Sequence, residues 1–257
     1  MKSDRLTPIT PMGGNNIAGC SRVRAYADHY AYTGRDRSDG STPLARVWGV
    51  RMSVEFREPQ ILVMCGIKGA GKSTLIRIML TAAAARKDVA RVLDPSANMG
   101  GEWPGRAAVE NWLRIIIKAN MDAKNKGRRP PTQILVVDDA EKAIKKTPPE
   151  DSPWVDVYTS NRHILMDAIF SCRRPQALPP ELISGADWLY VFAISPADKT
   201  GMERARESIH DGQIPTKKLE YLRVSPLSGD HCYGKITFDA KGNPSVTETA
   251  MVRTIEG

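Results

Sequence analysis

The chain has 257 residues, 41% of them hydrophobic and 26% charged, enough to bury one substantial core and near the upper size of a single domain, which excludes a collagen, a coiled-coil rod and a wholly disordered chain. Thirty-seven Lys and Arg against 29 Asp and Glu leave a net charge of +8, a balance that favours a polyanionic partner over a basic one. Cys20, Cys65, Cys172 and Cys232 are far apart with no CxxC pair, and no apolar run reaches the roughly 18 to 20 residues of a membrane helix. The chain is therefore expected to be a soluble, cytoplasmic protein without a disulfide framework, zinc site or membrane insertion.

In chain order, residues 1 to about 55 keep neither a strand nor a helix period and read as an N-terminal arm, possessing eight Lys/Arg and five Asp/Glu. Within it, AYADHYAY at 25 to 32 interleaves Tyr26, Tyr30 and Tyr32, which can pack locally or stack on a partner's bases. Met52 stands just before SVEFREPQILVMCG, and the remaining segment, 56 to 257, carries every motif of the candidate domain. There, short apolar runs alternate with helical patterns, the signature of βα units around a parallel sheet. ILVMC (61–65) predicts a strand covered on both faces, STLIRIMLTAAAA (73–85) a helix and VARVLD a second strand. AAVENWLRIIIKANMDAK (107–124) predicts a helix with Val109, Trp112, Leu113, Ile116 and Ile117 on its core face, QILVVDD (133–139) a third strand, AIFSC a fourth and WLYVFAI (188–194) a fifth. LEYLRV and HCYGKITF predict an antiparallel pair closing the sheet.

Gly66-Ile67-Lys68-Gly69-Ala70-Gly71-Lys72-Ser73, followed by Thr74, matches GxxxxGK[ST] between an apolar strand and a helix, the context this motif requires. Its glycines let successive N–H groups turn inward on phosphate oxygens, and the positive end of the helix adds to the field. Lys72 supplies a mobile charge for the β- and γ-phosphates of ATP, and the Ser73 hydroxyl is a ligand for Mg2+. Asp138, after four apolar residues, is the expected Walker B acid of the magnesium shell, and Asp139 beside it can orient or deprotonate a water. A GTPase would carry NKxD, whereas Asn125-Lys126-Gly127-Arg128 ends in arginine and precedes the acid strand. A small-molecule kinase remains open, as does a nucleotide-binding assembly protein without turnover.

From Arg162 to Phe192 the sequence RHILMDAIFSCRRPQALPPELISGADWLYVF resembles the FtsK/HerA superfamily of DNA-pumping ATPases, in which the strand after Walker B ends in a TQRP-like motif. The resemblance runs from Ile61 to about Asp198 and is greatest to the compact branch that packages viral genomes. It implies a RecA-like α/β P-loop NTPase with a mainly parallel sheet and added antiparallel edge strands. It further implies ATP hydrolysis coupled to translocation of double-stranded DNA by a homo-oligomeric ring, with a capsid vertex protein as a further partner, in host cytoplasm or virion. Lys72 and Ser73 fall on the phosphate and magnesium positions, Asp138 on the Walker B acid, and Asp139 where the family has glutamate. Arg173 replaces the sensor glutamine, Arg174 and Pro175 match, and Arg162 falls where members carry a basic residue able to act as an arginine finger in trans.

Two basic clusters flank the acid strand: Lys118, Lys124, Lys126, Arg128 and Arg129 before it, and Lys142, Lys145 and Lys146 after it. Charge on such loops can grip a phosphate backbone without reading bases. His29, His163, His210 and His231 are not clustered at metal-ligand spacing, and Trp103, Trp112 and Trp188 read as packing residues.

Overall fold

In the computed structural model, which describes residues 58–195 and 214–252, the strand β1 (Ile61–Cys65) is buried along its whole length. Its side chains alternate between two cores. Ile61, Val63 and Cys65 join the first, and Leu62 and Met64 the second. A strand whose two faces are both covered must be apolar throughout, which is why no polar position interrupts ILVMC. The same alternation holds in β3 (Ile134–Val137), with Leu135 and Val137 on one face and Ile134 and Val136 on the other.

The helices supply the covers. On the first face lies α2 (Arg106–Asn125), which buries Val109, Leu113 and Ile117 at the four-residue spacing of one helix side. Trp112 and Ile116 pack partly against the same core. On the second face lies α1 (Lys72–Ala85), through Leu75, Ile76, Met79 and Ala83. Asn120, fully buried on α2, donates to the Thr132 and Ile164 carbonyls at 2.7 and 3.0 Å, which satisfies a polar side chain inside the core and ties the helix to the entries of the two neighbouring strands.

The sheet has eight strands in the order β2-β3-β4-β1-β5-β6-β7-β8, where β2 is Ala90–Leu93, β4 Asp167–Cys172, β5 Trp188–Phe192, β6 Glu220–Val224, β7 His231–Phe238 and β8 Pro244–Glu248. The first five in this order are parallel, and β6, β7 and β8 are antiparallel additions. Thus the fold is an α/β P-loop architecture with a mainly parallel sheet and antiparallel edge strands, as expected. The predicted β6 and β7 pair is present, and β8 extends it. Short helices α3 (Ala140–Ala143), α4 (Pro153–Thr159) and α5 (Pro180–Ser184) complete the element order. The third strand ends at Val137 rather than at the acids, because Asp139 turns into a left-handed backbone conformation (φ 46°) and starts α3. The arm over residues 1–55 lies outside the described residues.

The order has one consequence for the site. β4 lies between β1, which leads into the glycine loop, and β3, which leads into the acids. Because the five strands run in one direction, their C-terminal ends share one edge of the sheet, the edge where open α/β sheets bind ligands.

Candidate nucleotide site

The loop from Gly66 to Gly71 leaves β1 tethered at both ends. The Gly66 N–H donates to the Cys172 carbonyl at 3.2 Å, the Ile67 N–H to the Ala193 carbonyl at 2.9 Å, and the Ala70 carbonyl accepts from the Leu219 N–H at 2.9 Å. Gly66 passes so close to β5 that a Cβ there would meet the Phe192 Cβ at 2.7 Å. Gly71 has φ 118° as the N-cap of α1, a conformation open to glycine. The first N–H groups of α1 therefore point out of the helix beside the loop, and the 14-residue helix directs its positive end there. Lys72, buried in the first turn, curls its Nζ over the loop to the carbonyls of Gly66 (2.7 Å) and Ile67 (3.2 Å). Ser73 and Thr74 follow it, half-buried, and Lys68 and Gly69 form the exposed crest.

The acids stand across β4. Asp138 is 2% exposed; its Oδ1 accepts the Ser171 hydroxyl and its Oδ2 the Asn98 amide at 3.4 Å. Asp139 accepts from the Ser96 hydroxyl and pairs with Arg173 at 3.3 Å and Lys142 at 3.6 Å, all through Oδ2. Burial pushes the Asp139 carboxyl up, but the Ser96 hydroxyl, the Arg173 guanidinium and the Lys142 ammonium outweigh it and hold the group below the usual carboxylate range.

Ser96 and Asn98 are positioned by a residue outside every motif. Asp94, 2% exposed at the end of β2, accepts N–H bonds from Asn98 (3.0 Å), Met99 (2.6 Å), Gly100 (3.0 Å) and Gly101 (3.4 Å). One carboxylate thereby folds the turn that delivers both side chains to the acids. Asp94, Ser96, Asn98, Ser171 and Glu141 are the residues of this edge that sequence reasoning missed. Only Asp94, an acid directly after the predicted strand VARVL, carried a visible signal.

The three arginines separate. Arg173 leaves the tip of β4 into the site, its N–H donating to Glu141 Oε1 at 3.1 Å. Arg174 follows as an exposed residue before the 3-10 turn Pro175–Ala177. Arg162 lies at the opposite edge, before β4, paired at 3.0 Å with Asp187, whose other oxygen accepts the Ile61 N–H at the start of β1. A five-residue strand puts about 16 Å between the two edges. The basic clusters separate likewise. Lys118, Lys124, Lys126, Arg128 and Arg129 belong to the end of α2 and the approach to β3, on the edge away from the loop, while Lys142, Lys145 and Lys146 follow β3 on the site edge. Lys124 donates to the His163 carbonyl and Arg129 pairs with Asp88 at 2.8 Å.

The donor set at the site edge is of hard oxygens, Ser73 and Asp138, the kind magnesium takes. No helix among the described residues is long and apolar enough to cross a membrane.

No family model matches the chain, and no curated protein matches it. Solved structures do. The genome packaging NTPase B204 from Sulfolobus turreted icosahedral virus 2, in complex with ATP-gammaS, matches with a TM-score of 0.53 at 17% identity, over 68% of this chain and 96% of that one. B204 described as the DNA-packaging ATPase from Sulfolobus turreted icosahedral virus gives a TM-score of 0.51 at 18% identity, over 68% and 97%. EssC (ATPases 2 and 3) from Geobacillus thermodenitrificans gives 0.52 at 12% identity, over 65% of this chain and 37% of that one. Likeness at these identities speaks to architecture, and together with the glycine loop between β1 and α1 and the acids after β3 it identifies the chain's fold as that of a RecA-like P-loop NTPase of the kind found in viral genome-packaging enzymes.

Proposed function

We propose that this chain is an ATPase of the FtsK/HerA type that moves double-stranded DNA, packaging a viral genome as a ring of identical subunits at a capsid vertex. The observation that supports it most is the strand inserted between the glycine loop and the acids, with Arg173 at its tip paired to Asp139. A basic side chain reading the acid pair from that strand can pass the state of the nucleotide to the sheet. In this reading the N–H groups around Gly69 to Thr74 and the Lys72 ammonium bind the phosphates. Ser73 and Asp138 would hold magnesium, which supplies charge neutralisation on the phosphate oxygens. Asp138 is kept in position for that by Ser171 and Asn98. Lys145 and Lys146, exposed just beyond α3, stand next to the acids in sequence and are the basic residues best placed to meet a phosphate backbone as the site changes state.

The test is ATP turnover with and without long duplex DNA at two salt concentrations. Stimulation by DNA that weakens steeply with salt is the expected result. Turnover indifferent to DNA would favour a small-substrate kinase, and binding without turnover would favour an assembly protein.

A further inference from the structure

Glu141 lies two residues beyond Asp139, inside α3. Its Oε1 accepts the Arg173 N–H at 3.1 Å, and its Oε2 is shut off from solvent with no hydrogen-bond partner among the described residues. A carboxylate oxygen desolvated without a donor is costly. At an edge where both Asp138 and Asp139 are engaged by donors, that oxygen is a place prepared for a donor that arrives with a ligand.

The sheet order separates the two candidate bases. Ser96, which binds Asp139, belongs to the loop after β2, on the side of β3 away from the glycine loop. The Arg173 N–H, which binds Glu141, sits at the tip of β4, the strand adjoining β1. Glu141 is thus tied to the strand on the phosphate-loop side, whereas Asp139 is shared between Ser96 on the far side and Arg173 at the tip of β4. Asp139 Oδ2 is already occupied by Ser96, Arg173 and Lys142, whereas Glu141 Oε2 has no donor among the described residues. Cys172, the residue before Arg173, accepts the Gly66 N–H through its carbonyl at 3.2 Å, so the strand tip that holds Glu141 also holds the start of the glycine loop.

On the reading that this chain hydrolyses ATP, we propose that Glu141 is the catalytic base, its Oε2 accepting a proton from the attacking water, while Asp139 positions Arg173 and Lys142. The water oxygen forms a bond to the γ-phosphorus. The bond from that phosphorus to the β–γ bridging oxygen breaks, and its electron pair leaves with ADP. The proton released by the water passes to Glu141 Oε2 and then to an oxygen of the phosphate product, which carries it out of the site and restores the carboxylate.

The experiment compares the full chain with Glu141→Gln, Asp139→Asn and Lys72→Ala, measuring ATP turnover, affinity for ATP-gammaS and thermal melting. Glu141→Gln is expected to keep ATP-gammaS affinity within about threefold while losing at least about 10²-fold in turnover, the scale of a positioned base. Asp139→Asn is expected to lose less than about tenfold. Turnover of Glu141→Gln within about tenfold of the unaltered chain, affinity falling in step with turnover, or an equal loss in Asp139→Asn overturns the inference. If Glu141→Gln fails to melt cooperatively, Glu141→Asp decides instead, with a loss of about tenfold or more expected and a smaller one overturning it. An unaltered chain without turnover, matching Lys72→Ala, removes the parent reading and the inference together, whereas an active chain with an active Glu141→Gln removes the inference alone.

Discussion

The Ser171 hydroxyl near the end of β4 donates to Oδ1 of Asp138, the residue after β3, and the Ser171 Oγ in turn accepts the Asp139 N–H at 3.3 Å. One small side chain on the inserted strand thus fixes the first acid and supports the backbone of the second. Ser171 is fully buried, so its replacement by alanine leaves the Asp138 oxygen and the Asp139 N–H unmet. Ser171→Ala is predicted to cost roughly 1–3 kcal/mol of stability and to raise the magnesium concentration that half-saturates turnover several-fold. A denaturant melt and a magnesium titration check it; an unchanged magnesium dependence would count against a role for Ser171 in holding Asp138.

Asp94 makes a similar point one strand further out. Asp94→Ala removes the acceptor of four N–H groups in the turn that carries Ser96 and Asn98. The prediction is a stability loss of roughly 2–4 kcal/mol, since bonds to a charged acceptor are the stronger kind, accompanied by reduced turnover at saturating ATP. Asp94→Asn, which keeps part of the acceptor, should fall between. Wild-type turnover in Asp94→Ala would show that the turn does not depend on that carboxylate.

A pH effect is expected at the opposite edge. Burial pushes the Asp167 carboxyl up to about 7, opposed by the Gln60 N–H that it accepts and with Asp88 raising it further. A group raised in the folded state holds its proton there when the unfolded chain has released it. Between about pH 4 and 7 the folded chain therefore binds the extra proton, and stability falls as pH rises through that window, by about 1.4 kcal/mol per pH unit at most. Asp167→Asn keeps an oxygen for the Gln60 N–H and removes the titration. It is predicted to flatten the pH dependence of unfolding across that window and to be the more stable variant at pH 8. Parallel pH profiles for the two proteins would refute the assignment.

Arg162 is too far from its own chain's site edge to act there, and its pair with Asp187 is exposed enough to be worth little in stability. If it completes a neighbour's site, Arg162→Ala should bind ATP normally and lose roughly 10³-fold in turnover. Mixing it with Lys72→Ala subunits, which keep the arginine, should then restore activity that neither has alone. Mixtures with no recovery would assign the charge elsewhere.

Much of this was legible beforehand, and the residues show why. ILVMC, ILVV and WLYVF are apolar on both faces because parallel strands under two layers of helix leave no solvated side, so runs and turns could be read directly. The glycine loop carries its own spacing. What could not be read depends on neighbours across the sheet. Ser171 matters because β4 sits beside β3, and Ser96 because Asp94 folds its turn. Glu141 stands out only once Arg173 is seen to end next to it. β8, reading PSVTE with a single buried residue, Val246, has too little apolar pattern to announce itself. Arg162 and Arg173, placed by sequence before and at the end of the strand after the acids, fall at opposite edges of the sheet.

The tethers of the glycine loop have a kinetic meaning. With Gly66 and Ile67 fastened to the ends of β4 and β5 and Ala70 to the segment before β6, the conformational entropy of the cradle is lost once, at folding, and is not lost again at every encounter with a triphosphate. On the proposed function, capture needs only that the Lys72 ammonium swing off the Gly66 and Ile67 carbonyls. In the proposed hydrolytic cycle a cradle fixed in this way leaves the slow step to what surrounds it, such as the turn held by Asp94, and serves as the still point against which that turn moves.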